Sequence, residues 1–233
     1  MDAKRSAQVV AVAALAEPTR RSLYDHVVRQ PGPVSRDEAA AALGVPRATA
    51  AFHLDRLVDE GLLAVDFERR TGRTGPGAGR PSKVYRRAAC SVVVSLPERH
   101  YDLAGDLLAA AIAEADGSGD PPRAVLDRRA HTRGRELGEQ ARPVDPDPDR
   151  DGKAAVLRVL ETHGFEPRMD GGSLSLANCP FHALAQRHTT LVCGMNLRLL
   201  EGILDGLHPT GLVARLDPAA DRCCVRLDHT PST

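Results

Sequence analysis

SRDEAAAALGVPRATAAFHLDRLVDEG, residues 35–61, is the stretch on which the fold turns. Ser35 followed three residues later by Glu38 is a capping box, in which each side chain satisfies a backbone amide left unpaired at the start of a helix. The spacing predicts a short helix over residues 36–43. Gly44 then supplies a residue that tolerates positive φ, and Pro46 has its φ preset for the start of a second helix that ends near Gly61. Along this second helix Ala51, Leu54, Leu57 and Val58 recur at helical spacing and mark a buried stripe. Arg47, Thr49, His53 and Arg56 fall on the other side. Two short helices joined by such a turn form the helix-turn-helix pattern, and the outward face of the second can donate hydrogen bonds to base edges and phosphates.

At 233 residues, 42% of them apolar, the chain can bury a sizeable core, and its length predicts more than one domain. No apolar run approaches the roughly 20 residues that span a bilayer, and the N-terminal apolar stretch has no cleavage-site context. A soluble cytoplasmic protein with no membrane partner is therefore expected. The formal charge is zero, from 31 basic and 31 acidic side chains, but these are unevenly placed, with +5 over residues 1–90 and −5 over the remainder. That asymmetry puts an electrostatic footprint for nucleic acid on the first part alone. Tryptophan is absent and aromatics make up 3%. Base-stacking platforms of the single-strand type are thus poorly supplied, and double-stranded DNA suits the composition better.

Outward from the central stretch, residues 6–16 and 18–29 read as two further helices. Residues 62–67 and 83–87 read as strands. Between the strands lies a Gly- and Arg-rich segment carrying Arg69, Arg70, Arg73 and Arg80, too polar for a core and too long for a tight hairpin. This is the pattern of a wing. Together, LAEPTRR at residues 15–21, the helix-turn-helix, HLDRLVDEGLL at residues 53–63 and the wing with Gly79-Arg80-Pro81 resemble the winged helix-turn-helix regulators of the ArsR-like superfamily. That resemblance implies a homodimer with a recognition helix in the major groove and the wing on the backbone or minor groove. Pro46 stands where those proteins often carry a Ser or Thr, so a hydroxyl contact to phosphate is lost, and Thr49 is the neighbouring replacement.

Downstream, residues 91–96 read as a short strand, 98–116 and 122–140 as helices, and the Pro/Asp alternation after residue 142 as a linker. Residues 152–163 read as a helix, 165–169 with 173–177 as a hairpin, 183–206 as one or two helices, and 212–217 with 223–227 as a second hairpin. The predicted fold is mainly α with α+β: a winged helix-turn-helix domain over residues 1–96, a helical linker or dimerisation region over 97–150, and a small α+β sensor domain over 151–233.

Four of the five cysteines, Cys179, Cys193, Cys223 and Cys224, fall in that last domain, and without an export signal a disulfide framework is not expected. Metal binding and simple burial are the open readings. Adjacent strand residues face opposite ways, so Cys223 and Cys224 are not expected to reach one site together, and three cysteines plus one further ligand is the expected set. Thiolates suit both zinc and iron–sulfur clusters. Compact C-x2-C knuckles are missing, which leans towards a cluster held between separate elements. Cys90 stands apart and is expected in the core.

The segments NCPFHALAQRH, LVCGMN and RCCVRL, with the wing, resemble the SufR-type iron–sulfur repressors, a branch of the ArsR-like regulators. That resemblance implies a cluster whose state changes affinity for promoters of cluster-assembly genes, with Cys179, Cys193 and the Cys223/Cys224 position as ligands. Members of that branch often have a further cysteine where this chain reads Gly206-Leu207-His208-Pro209, so His208 or His182 could stand in. A rival reading gives the C-terminal domain an organic effector and the cysteines a structural role. No nucleophile elbow or P-loop supports an enzyme.

Overall fold

The computed structural model describes residues 3–69, 81–142, 151–170, 172–207, 209–219 and 222–230. The chain forms two compact units, Met1–Val94 and Ser95–Thr233, each with its own apolar core.

In the first unit, helix α1 spans Ala3–Ala14 and α2 spans Pro18–Arg29. The Glu17 carboxylate caps α2 by accepting from the Thr19 and Arg20 amides at 3.0 and 2.6 Å, and Pro18 occupies the first helical position, where no N–H is missed. Strand β1 (Val34–Ser35) leads into α3 (Arg36–Leu43) through the capping box, with both reciprocal bonds present at 2.8 and 3.3 Å. Gly44 then turns the chain at a φ of 65°, where a side chain would strain the backbone. Helix α4 follows over Arg47–Asp59, and strands β2 (Leu63–Glu68) and β3 (Ser82–Arg87) complete an antiparallel sheet in the order β1-β3-β2.

Leu23, Val27, Ala39, Leu54, Leu57 and Leu63 close the core between helices and sheet. The buried row of α4 is Ala50, Leu54 and Leu57, while Ala51 and Val58 are half-buried. The helix is therefore rotated from the stripe expected through Ala51 and Val58. Residues 91–96 form no strand, and Val93 and Leu96 are exposed. Cys90, expected in the core, is exposed as well, with its thiol donating to the Gly61 carbonyl at 3.1 Å.

The second unit contains α5 (Tyr101–Ser118), α6 (Pro122–Gln140), α7 (Asp151–Thr162), α8 (His182–Arg187) and α9 (Thr189–Leu207). Its antiparallel sheet runs β4-β5-β7-β6, from strands Pro167–Asp170, Ser173–Leu176, Val225–His229 and Leu212–Leu216 respectively. Helices α5 and α6, which the sequence reading assigns to a linker region, share one core with this sheet through Ala104, Leu107, Val125 and Leu126. Helix α5 begins at Tyr101 and not near residue 98, and the amides just before it bond outside the helix, Arg99 N–H to the Ser95 hydroxyl and His100 N–H to the Pro180 carbonyl. Helices α6 and α9 pack backbone to backbone. A methyl on Gly134 would overlap the Leu199 carbonyl oxygen, and one on Gly202 would overlap that of His131.

Candidate functional site

Two sets of side chains carry chemistry, one in each unit. The first is the open face of α4. Opposite the buried row Ala50-Leu54-Leu57, the exposed residues are Ala48, Phe52, Arg56 and Asp59, with Arg47 exposed at the helix start and Thr49 half-buried. Arg47 pairs with Asp37 at 2.5 Å and Arg56 with Glu60 one turn on. The Arg47–Asp37 pair is exposed on both sides, and pairs of that kind contribute little, whereas Glu60 is mostly covered. His53 does not belong to this face. Its side chain is 13% exposed, with Nδ1 3.6 Å from the Glu17 carboxylate, and its ring meets Phe52 edge-on at 5.2 Å. The reason is the same rotation of α4 that buries Ala50. Arg70, Arg73 and Arg80 lie outside the described residues.

Asp55 fastens this helix to the sheet by accepting from Lys83 Nζ and, at 2.7 Å, from the Tyr85 hydroxyl. Burial raises the Asp55 carboxyl, but hydrogen bonds from Lys83 and Tyr85 outweigh it and hold the group below its ordinary value. Burial and the bond to Asp55 push the Tyr85 phenol well up. The open face of α4 is thereby tied to the sheet by a half-buried polar contact.

The second set is a chain of thiols. Cys179 lies between β5 and α8, Cys193 in the second turn of α9, and Cys223 and Cys224 immediately before β7. Cys179, Cys193 and Cys223 are buried and Cys224 is half-buried. Cys223 N–H donates to Leu176 O and the Cys224 carbonyl accepts from Asp217 N–H, both at 2.8 Å. The pair thus precedes the strand, and the strand alternation expected to separate the two thiols does not apply. The structure brings all four together: Cys193 contacts Cys224, Cys224 contacts Cys223, and Cys223 contacts Cys179. The expectation that strand alternation keeps Cys223 and Cys224 from one neighbourhood is thus corrected, since both thiols lie in the same row. His182 is exposed at the start of α8, and His208 lies outside the described residues.

Three of these thiols, Cys179, Cys193 and Cys223, are pushed up from the ordinary thiol value. The hydrogen bond with Cys223, and then burial, push Cys179 far above its ordinary value. At Cys223 the bond with Cys179 acts downward, but the Cys224 thiol and burial outweigh it and push the group up to about 12. Burial also raises Cys193. Hydrogen-bond donors nevertheless surround the sulfurs, with the Phe181 amide on Cys179 and the Val225 amide on Cys223. Asn196 Nδ2 donates to Cys223 Sγ at 3.2 Å from a fully buried side chain, and its Oδ1 has no partner among the described residues.

The loop carrying Cys179 is bolted in place from outside. Asn178 Nδ2 donates to the Gly164 carbonyl at 2.6 Å and the Glu98 carbonyl at 3.0 Å, while Arg99 donates to Asn178 Oδ1 and to the Cys179 carbonyl. Among the described residues no three His, Cys, Asp or Glu side chains already stand as a metal-holding group. The thiols lie one beside the next, Cys193 by Cys224, Cys224 by Cys223 and Cys223 by Cys179.

Sequence reading missed Phe52 and Asn196. Phe52 is recoverable by counting half a turn from the Leu54-Leu57 row, and Asn196 follows Cys193 by three residues, which puts both on one helix face. Residues 15–66 match a family model described as a helix-turn-helix domain. No curated protein and no solved structure matches the chain. The match runs from just after α1 into β2 and covers the helix-turn-helix of the first unit. Among the described residues no helix is long and apolar enough to cross a membrane.

Proposed function

We propose that the chain is a homodimeric winged-helix repressor whose affinity for double-stranded DNA is set by an iron–sulfur cluster, or in its place a zinc ion, held by Cys179, Cys193, Cys223 and Cys224. The observation that carries this reading is the meeting of four thiols from three separate segments, with Asn196 and two backbone amides directed at their sulfurs. An all-sulfur donor set fits a thiophilic metal or an iron–sulfur cluster, and N–H···S bonds stabilise the negative charge that thiolates bring to it.

When bound, the group supplies either a redox-responsive centre or a fixed tetrahedral clamp. The protein's own part is to release thiol protons as it binds, to hold Cys179 through Asn178 and Arg99, and to present Cys193 on α9. Closing a chain of thiols around one centre draws α9, the Cys179 loop and the segment before β7 together. In the first unit, Arg47, Thr49 and Arg56 meet the DNA, and Arg70, Arg73 and Arg80 are the further basic contacts that the sequence supplies. Control then requires only that one state of the dimer space its two α4 helices to match half-sites about one DNA turn apart.

Anaerobic purification followed by iron, sulfide and zinc analysis tests the reading. Metal at a fixed stoichiometry, lost in Cys179→Ser and Cys223→Ser, is the expected result. A colourless, metal-free protein with four freely titratable thiols in the second unit would refute it and return the organic-effector reading.

A further inference from the structure

The chain has four phenylalanines. Phe165 and Phe181 are fully buried and pack edge to face, whereas Phe52 and Phe67 are each 66% exposed. Both exposed rings belong to the first unit, one on α4 and one on β2, the strand that leads into the wing. An aromatic ring left in water forgoes a large apolar burial. Phe52 forgoes it at the centre of the face that points away from Ala50, Leu54 and Leu57.

We infer that Phe52 is a specificity-determining residue of α4 that reads the 5-methyl group of thymine in the major groove. The inference rests on the DNA-binding reading of the first unit and is independent of the thiol site. In the major groove thymine alone among the bases offers an apolar group, so an apolar reader on a recognition helix has one chemical target. The surroundings of Phe52 match that use. Arg20 from α2 and Arg56 from α4 line the same surface cleft as the ring, where their guanidinium groups can take the phosphates on its flank. Asp55 and Asp59 line it too, and their charge turns a phosphate away from the ring itself. Ala48, exposed one turn earlier, leaves the groove floor free to approach. The ring is also held in position. His53 meets it at 5.2 Å with an interplanar angle of 67°, and His53 in turn is mostly buried beside Glu17. Its geometric neighbour, not a base, is therefore the role of the histidine that sequence spacing had placed on the open face.

The test uses the full-length wild-type protein to enrich duplexes from a random library, then replaces each thymine in turn with deoxyuridine, which removes the methyl group alone. At one or more thymines, replacement should weaken wild-type binding about fourfold, the loss expected for one methyl-sized group leaving an apolar contact. Phe52→Ala should bind the thymine and deoxyuridine duplexes equally, and Phe52→Leu should keep part of the discrimination. Because the ring is exposed, circular dichroism and melting of both variants should match the wild type. The proposal is overturned if Phe52→Ala keeps the wild-type methyl dependence or if no thymine shows one. It is also overturned if the substitution alters only self-association in sedimentation, which would make this face a protein interface. A wild-type protein that enriches no duplex would instead refute the DNA-binding reading beneath it.

Discussion

The side-chain nitrogen of Asn196 lies 3.2 Å from the sulfur of Cys223, while the oxygen of the same buried amide has no partner among the described residues. Half of this group serves the thiols and half is left unsatisfied. A buried unpaired acceptor costs about 1–3 kcal/mol, whereas a hydrogen bond returns about 1 kcal/mol net. Asn196→Leu, which removes both halves at similar volume, should leave the metal-free protein at least as stable as the wild type in urea unfolding. A loss beyond about 2 kcal/mol would mean that the oxygen is satisfied in solution.

The Tyr85–Asp55 contact predicts opposite losses at the two ends of the pH scale. Asp55 is held below its ordinary value, so its contribution is present above the carboxylate range and disappears as pH falls through the folded-state value. Tyr85 is pushed up, so its contribution is complete below the unfolded phenol value of about 10 and disappears as pH rises beyond it. Comparing urea midpoints of wild type and Tyr85→Phe across pH should show the difference between them shrinking above pH ~10. A constant difference there would contradict the assignment.

Glycine has unequal value along the helices of the second unit. A side chain at Gly134 meets the backbone of α9, whereas one at Gly105 in α5 meets nothing within 4 Å. Overpacking of this sort costs about 1–3 kcal/mol or more, and replacing a free helical glycine by alanine gains up to about 1 kcal/mol. Thermal melts should therefore move down for Gly134→Ala and up for Gly105→Ala.

Arg56 is exposed and pairs with Glu60 one turn on in its own helix. If it contacts phosphate, Arg56→Ala should weaken binding to all duplexes alike and lower the slope of log K against log salt by about one. An unchanged slope would remove Arg56 from the contact set.

The parts of the fold that are legible in the sequence are those decided within a few residues. The capping box at Ser35 and Glu38, the positive-φ turn at Gly44 and the close of α4 at Gly61 each depend on local backbone chemistry, and each is found where the residues place it. What the sequence does not yield is decided by partners far along the chain. Two adjacent stripes on α4 are almost equally apolar, and the packing of α4 against α2, α3 and β2 buries Ala50 in place of Ala51. His53 and Phe52 exchange roles as a result. Residues 91–96 have strand composition but no neighbouring strand to pair with. Likewise the start of β7 two residues later than expected, at Val225, follows from ladder pairing with β6, and it leaves Cys223 and Cys224 ahead of the strand.

The glycine contacts between α6 and α9 also have a mechanical meaning. Side chains at a helix interface yield by changing rotamer, but at Gly134, Gly138, Gly202 and Gly206 there is none to yield. Helix α9 is consequently seated on α6 along its second half with backbone against backbone, and Cys193 lies outside that seated stretch, about 13 Å before Gly202.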